Sequence, residues 1–410
     1  MARVAIVGAG PAGAALAYLL ARRGLAVTLL ERQTDFAREF RGEGLMPSGA
    51  EVFHQMGLGA ALDALPQARL ERFEVFLNAR SVGALALATD GPGAFSARIV
   101  SQPAMLEMLV GEAARFPGFR LERGATVRDV VREGGDGGRV AGVLADGAHG
   151  TLEVRADLVV GCDGRNSVLR RRTALEELRY PQAFDVIWAK LPMPAALAGV
   201  PAGRLYVGRG HFALMFPSYD GRLQIGWIID KGLFGDLRKR GVEAWLLEMA
   251  AHLSADLAAH LCAHLENVTH PFLLDVACER IMRWSVPGML LLGDAAHTMS
   301  PVGAQGINLA LRDAAVAANH LCEAVEAGGQ EPGALAERLD TAGRAIEAER
   351  TPEIVTIQEM QQRPPRVLLG RSIFGRLLLT RLGLRIVGGA LGRTMTRRFA
   401  TGVSPVRLRV

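Results

Sequence analysis

Four cysteines in 410 residues, Cys162, Cys262, Cys278 and Cys322, form neither a C-x-x-C pair nor a metal-ligand spacing. A disulfide framework, a dithiol redox centre and a zinc module are thereby excluded, no metal site is expected, and a reducing compartment is implied. Acidic residues are missing from residues 361–410, which hold eleven arginines; against a formal charge of +5, the rest of the chain is net acidic. Those arginines alternate with Leu, Ile, Val and Phe instead of the polar and aromatic residues that grip single strands, so no nucleic-acid partner is expected. Long uncharged runs are scarce as well. Residues 4–21 form one, but Gly8, Gly10, Pro11 and Gly13 interrupt it in a way that a signal peptide or membrane span does not require, and a cytoplasmic location is expected.

What is present is a folded chain: half of its residues are hydrophobic, and its length suits two domains, possibly interleaved. Residues 4–7 read as a short strand, glycines follow at 8, 10 and 13, and residues 14–23 read as a helix that Gly24 ends. Residues 27–30 then read as a second strand with Glu31 at its end. Strand, Gly-rich turn, helix, strand and terminal acid are the βαβ dinucleotide fingerprint in its required order. Gly8 permits the tight turn, Gly10 lets the backbone approach a pyrophosphate, and Gly13 lets helix and strand pack closely. The helix N-terminus attracts phosphate, and Glu31 accepts hydrogen bonds from an adenosine ribose. A carboxylate there disfavours a 2′-phosphate, so the bound dinucleotide is expected to be FAD or NAD.

Two further stretches share a pattern. Residues 125–155 read as a three-stranded meander that leads into ADLVVGCDGRNSVLRR, residues 156–171: a buried strand, an Asp163-Gly164 turn, and a helical turn holding Ser167 and Arg170. The stretch LLGDAAHTMSPVGAQGINLALRDAA, residues 291–315, has a buried strand, Gly293-Asp294, a loop with Pro301 and Gly303, and a helix starting near Gly306. A carboxylate at the end of so apolar a strand is costly unless something polar meets it, so Asp294 needs a partner.

In this order the three motifs resemble the single-component FAD-dependent aromatic monooxygenases of the para-hydroxybenzoate hydroxylase type. The resemblance implies an α/β fold: a Rossmann-like FAD-binding domain of the glutathione-reductase type, an interleaved, mostly antiparallel β-sheet substrate domain, and a C-terminal helical segment. The implied division gives residues 1–70, 98–180 and 275–360 to the FAD domain, 71–97 and 181–274 to the substrate sheet, and 361–410 to the basic C-terminal segment. It also makes Gly8, Gly10, Gly13, Glu31 and Asp163 FAD-binding residues and puts Asp294 on the ribityl chain. Arg41 and Gln102 match flavin-contacting positions. Gly306 and Asn308 begin the helix whose positive end faces the flavin pyrimidine. Pro301 and Gly303 become the loop beside the isoalloxazine. The implied activity uses NADPH or NADH as a transient reductant and O2 to hydroxylate a small-molecule substrate through a flavin C4a-hydroperoxide. With no second dinucleotide fingerprint, the reductant has no Rossmann domain of its own.

Residues 72–87 and 181–274 read as strands that would roof the substrate. Phe212, Leu214 and Phe216 share one face, as do Leu223, Ile225 and Trp227, and both sets suggest apolar walls. No arginine pair suited to clamping a carboxylate is evident, so a lipophilic aromatic or polyketide-like substrate is expected. His211 and Tyr206 are candidate bases for ionising a phenol. A two-dinucleotide disulfide reductase is excluded by the missing second fingerprint and cysteine pair, and a flavin halogenase by the missing W-x-W-x-I-P. The alternative is an FAD-dependent reductase of the geranylgeranyl-reductase type, acting on an isoprenoid or polyene double bond. A non-catalytic lipid escort gives Asp294 and Glu31 no purpose. Arg366, Arg371, Arg376, Arg381 and Arg385 sit among apolar residues with Gly370, Gly375 and Gly383. That segment reads either as a helical piece packed on the FAD domain or as a patch for peripheral membrane contact.

Overall fold

Parallel pairing of short apolar strands builds one six-stranded sheet, in the order Ser285–Val286, Met289–Leu291, Leu158–Gly161, Arg3–Val7, Ala26–Glu31 and Phe119–Arg123. Only the edge hairpin Ser285–Val286 is antiparallel. The computed structural model describes residues 1–37, 43–87, 95–135, 137–148, 150–208, 212–328, 333–368 and 390–410. Central strands of this sheet are buried on both faces, as continuous Val, Ile and Leu runs require. The alanine-rich helix Pro11–Arg22 packs against helices Gln102–Ala113 and Gly306–Glu326. Parallel direction has one consequence for the site: the strand ends carrying Gly8, Glu31, Asp163 and Asp294 fall on the same edge. An antiparallel meander, Thr126–Glu133, Arg139–Gly147 and Gly150–Arg155, flanks this layer.

A seven-stranded sheet forms the second layer, in the order Phe272–Leu274, Phe184–Leu191, Leu223–Asp230, Phe212–Pro217, Ala202–Val207, Arg72–Leu77 and Arg80–Ala86. Its pairs are antiparallel except for Ala202–Val207 with Arg72–Leu77. Alternation gives the sheet two apolar faces. On the far face Ile187, Leu191, Met215, Ile225 and Trp227 pack with Trp245, Leu246, Met249 and Leu257 of helices Val242–Ala250 and Ala255–Ala263. On the near face Val186, Trp188, Phe216 and Ile228 join Met46, Ile99 and Ala400, with Phe212, Leu214 and Val302 packed alongside. The near face thus meets the FAD-domain layer. This corrects the expectation for Leu223, Ile225 and Trp227: they share a face, but it is the far one, and they line no wall of the site.

The chain end is woven into the body. Gln55 Nε2 donates to the Val406 carbonyl at 3.0 Å and its Oε1 accepts from Leu408 N at 2.6 Å. Asn319 does the same for the Arg407 carbonyl at 2.8 Å and Arg409 N at 2.7 Å. Residues 369–389, with most of the arginines that suggested a membrane patch, lie outside the described residues. No helix among the described residues is long and apolar enough to cross a membrane.

Candidate active site

The glycine turn is built as close backbone approach demands. Gly8 has φ +97°, and a Cβ on it would stand 2.4 Å from the Cys162 carbonyl oxygen. A Cβ on Gly13 would stand 2.0 Å from the Gly8 carbonyl oxygen, so the helix can lie on the strand only with glycine there. A Cβ on Gly10 meets nothing within 4 Å, and Gly10 caps its helix without any side-chain hydrogen bond. The N–H groups at that helix start are left without a side-chain cap, which fits a dinucleotide pyrophosphate. Glu31 is buried; its Oε2 accepts from Ala9 N at 2.9 Å and its Oε1 from Gln33 N at 3.0 Å. It braces the turn at the strand end where the fingerprint puts the acid that meets a ribose.

The two Asp-bearing strand ends differ. Asp294 lies in the short turn Gly293–Ala295, where the left-handed Gly293 (φ +58°) swings the chain out of its strand. The carboxylate is thereby carried to the surface edge, 37% exposed, with Arg165 Nε 3.5 Å away. The cost of a carboxylate beside three leucines is avoided by turning it outward, and it stands free to meet sugar hydroxyls. Asp163 is turned inward instead. Its Oδ2 accepts from Val168 N at 2.7 Å and Leu169 N at 3.3 Å, which holds the start of helix Val168–Arg172. Burial raises its pKa, against the Ser167 and backbone hydrogen bonds that favour the ionised form. The Asp163 Oδ1 has no hydrogen-bond partner among the described residues.

Between Thr298 and Gly306 runs the loop assigned to the flavin edge, and side chains distant in sequence hold it. Gln361, on helix Ala334–Leu368, donates to the carbonyls of Ser300 at 2.7 Å and Val302 at 2.8 Å, and accepts from Ser300 N at 3.1 Å. Gln358, one turn earlier, donates to the carbonyls of Glu279 at 2.9 Å and Thr298 at 3.3 Å. Gly303 is left-handed (φ +75°), and a Cβ on it would lie 2.7 Å from the Phe399 ring. Gln305 Nε2 ties the Gly303 and Phe399 carbonyls together at 2.7 and 2.8 Å. Sequence reasoning missed Gln358, Gln361 and Phe399; the available signal was two glutamines one turn apart beside Ile354, Ile357 and Met360, and the structure buries them with those residues.

Beneath the loop lies a buried charge network. His297 Nε2 is 2.7 Å from Asp313 Oδ2, which also accepts from Gly293 N at 3.2 Å. Arg350 Nε donates to Asp313 Oδ1 at 2.7 Å and its guanidinium also reaches Glu353. Arg312 makes a two-pronged pair with Glu353 at 2.9 and 3.0 Å, and donates to the Ser404 carbonyl. Burial opposes ionisation of Asp313, but His297 and Arg350 outweigh it and hold the carboxyl below its ordinary range. Two acids and two arginines balance, so the Gly-Asp turn, the helix Gly306–Glu326, the helix Ala334–Leu368 and the chain end are clamped at one point.

The remaining candidates divide. Gly306 opens its helix, whose preceding residue Gln305 offers no side-chain cap, so that N-terminus keeps its positive end unneutralised. Asn308 is committed elsewhere: its Oδ1 accepts from Met46 N at 2.8 Å and its Nδ2 donates to the Gly44 and Ala304 carbonyls at 3.2 and 2.6 Å. The side chain stitches the strand Gly44–Leu45 to the loop rather than pointing at a ligand. Gln102 is the first residue of its helix, behind the cap Ser101, and Pro301 is half-buried at the loop entrance. Arg41 and His211 lie outside the described residues. Tyr206 is a poor base for this site: it is buried on the far face, its hydroxyl 2.7 Å from Ser254 Oγ, and burial raises its pKa.

A family model described as FAD binding domain matches residues 1–349. The chain belongs to this family, and with it to the FAD-dependent monooxygenases. It is 32% identical over 413 residues to 6-methylpretetramide 4-monooxygenase of Streptomyces rimosus, covering 99% of this chain and 94% of that protein. It is 29% identical to rifampicin monooxygenase of Streptomyces venezuelae, over 76% of this chain and 62% of that one. Among solved structures, P. aeruginosa PqsL in complex with 2-aminobenzoylacetate shares the fold with a TM-score of 0.78 at 22% identity, over 92% of this chain and all of that one.

Proposed function

We propose that this monooxygenase hydroxylates a lipophilic, polycyclic aromatic or polyketide-like substrate, with NADPH or NADH as transient reductant and O2 as oxidant. One observation carries the reading: the near face of the seven-stranded sheet lays Trp188, Phe212, Leu214 and Phe216 over the loop that holds Val302. Flat apolar molecules suit such a layer. The relative from Streptomyces rimosus is named for 6-methylpretetramide and the other Streptomyces relative for rifampicin, and both names support this reading.

Bound FAD would supply the redox chemistry that joins NAD(P)H to O2. The residues that would hold it are Gly8, Gly10, Gly13, Glu31 and Asp294, with Arg41, Gln102, Asp163 and the helix start at Gly306. Pro301 and Gly303 shape the loop, and Asn308 and Gln361 hold that shape. The division into FAD-domain segments 1–70, 98–180 and 275–360, and substrate-sheet segments 71–97 and 181–274, is part of the same reading. A peripheral membrane contact through the C-terminal segment, residues 361–410, is its outermost part: salt-reversible binding to anionic vesicles supports it, and binding that ignores salt does not.

The deciding experiment supplies the holoenzyme with NADPH or NADH, labelled O2 and a panel of polycyclic phenols. Label in the product supports hydroxylation. Anaerobic turnover to a reduced product supports the reductase alternative, which none of the relatives named above favours.

A further inference from the structure

One corner of the near face is polar, and nothing in the cofactor assignment uses it. Glu43 is 4% exposed. Its Oε1 lies 3.7 Å from Lys190 Nζ, and its Oε2 has no hydrogen-bond partner among the described residues. Lys190 sits directly across from Gln224 in the strand register, and Gln224 pairs on its other side with Phe216. Gln224 is 1% exposed, and neither atom of its amide has a hydrogen-bond partner among the described residues. Buried polar atoms in native proteins are nearly always satisfied, so three orphaned atoms at one corner imply a missing partner with both donor and acceptor character.

The position names that partner. Gly44, next to Glu43, touches the loop: a Cβ on it would stand 2.8 Å from the Ala304 Cβ. Trp188, two residues before Lys190, and Phe216, beside Gln224, belong to the apolar near-face layer with Met46. The corner is therefore the polar end of an apolar layer that borders the flavin loop. Charged groups facing Glu43 are Lys190, from the strand Phe184–Leu191, and Asp220, from the hairpin turn after Phe212–Pro217. Lys190 Nζ also lies 3.1 Å from Asp220 Oδ2 and over the Tyr219 ring.

We infer that Glu43, Lys190 and Gln224 bind the ionisable oxygen of a phenol flanked by a carbonyl, and that Glu43 takes its proton. This rests on the aromatic hydroxylase reading above. In the step, the substrate O–H bond breaks, the proton passes to Glu43 Oε2, and the electron pair stays on the substrate oxygen beside the Lys190 ammonium. Gln224 holds the neighbouring carbonyl through its amide N–H. The charge of the corner is unchanged, because the carboxylate is neutralised as the phenolate forms. A phenolate is the more electron-rich ring for an electrophilic oxygen. Burial, which outweighs the opposing pull of Lys190 and is reinforced by Asp220, raises the Glu43 carboxyl to about 7, a value suited to exchanging a proton with a phenol.

The test uses FAD-loaded enzyme and chrysazin, a dihydroxyanthraquinone whose colour reports its ionisation, at about pH 8, where Glu43 is charged before the dye arrives. Wild type is expected to bind the dye in its ionised colour while releasing almost no proton to an unbuffered indicator solution. Glu43→Gln is expected to release about one proton for each dye that ionises, or to bind it un-ionised. Lys190→Met should bind it in the neutral colour and lose the wild type's preference, about tenfold or more, for chrysazin over its dimethyl ether. Equal proton release per ionised dye by wild type and Glu43→Gln overturns the inference, as does neutral dye, or no dye, on wild type. If Glu43→Gln fails to fold or to hold FAD, the wild-type proton count and the Lys190→Met colour still decide. Hydroxylation itself is read separately, by label from O2 in the product, so a failed dye test leaves that reading standing.

Discussion

On the six-stranded sheet each motif residue ends its own strand, whereas at the polar corner of the seven-stranded sheet Lys190, Gln224 and Phe216 come from three strands and share only register. The first arrangement follows from local rules. A parallel sheet delivers every strand end to one edge, so Gly8, Glu31, Asp163 and Asp294 assemble wherever the strands pair. The second depends on which residue faces which across 34 positions of chain between Lys190 and Gln224, and a slip of one residue sends the whole set to the helix-covered face. Cofactor chemistry rests on the local design, and substrate chemistry on the register-dependent one.

The largest effect should come from breaking the clamp under the cofactor edge. Asp313→Ala leaves Arg350 buried with half of its pairing gone, and loss of one partner from a buried ion pair costs about 3–5 kcal/mol. Urea unfolding of the holoenzyme should show that loss, together with reduced FAD content. A cost below about 1 kcal/mol, the level of an exposed pair, would mean that water reaches the network.

The second test concerns the substrate side and its pH dependence. Glu43 is raised in the folded state from 4.5 to about 7, with burial as the main cause. The native state therefore binds more protons than the unfolded chain between those values. Its contribution to stability is fully present below pH 4.5 and is lost as pH rises to 7. The loss amounts to about 3 kcal/mol at most. Glu43→Gln should abolish that decline, so the variant becomes more stable relative to wild type as pH increases. Parallel pH curves for the two proteins would refute the raised pKa without touching the cofactor edge.

Asp294→Ala sharpens the contrast from the other side. If the exposed carboxylate meets a ribityl hydroxyl, its removal costs one charged hydrogen bond, about 2 kcal/mol or roughly thirtyfold in FAD affinity. Apoprotein stability should hardly move, since the side chain's one described charge partner is Arg165 at a half-exposed site. Unchanged FAD affinity would remove Asp294 from the cofactor site.

These contrasts explain what was legible beforehand. The strand-turn-helix sequences around Gly8, Asp163 and Asp294 each fit within a few residues, so spacing alone revealed them. The near-face layer of Phe212, Leu214 and Phe216 was also readable, because alternation is local. Which apolar face meets the cofactor layer was not: Leu223, Ile225 and Trp227 alternate as cleanly and point the other way. Asn308 looked like a ligand because it opens the right helix, yet its amide is used by the backbone of Gly44, Met46 and Ala304. Glu43 carried no signal at all, since its burial and its neighbour Lys190 arise only when the chain before the strand Gly44–Leu45 meets the seven-stranded sheet.

The smallest predicted effect lies in the loop joining the two layers. Ala304 is left-handed at φ +52°, directly after the left-handed Gly303. A side chain in that region costs about 1 kcal/mol of local strain, which glycine would relieve. Glycine also loosens the unfolded chain, which takes back roughly 0.4–1 kcal/mol. The two nearly cancel, and packing decides the sign: Ala304 presents its methyl to Gly44, and its carbonyl accepts the 2.6 Å hydrogen bond from Asn308. Removing the methyl leaves that bond in place but opens a gap at the strand Gly44–Leu45. Ala304→Gly should therefore change stability by less than about 0.5 kcal/mol in thermal unfolding. Its effect should appear instead as faster hydrogen exchange at Met46 N, the amide that Asn308 holds across the same junction. Slower exchange there would show that the alanine strains the junction and that the two layers are held together by Asn308 in spite of it.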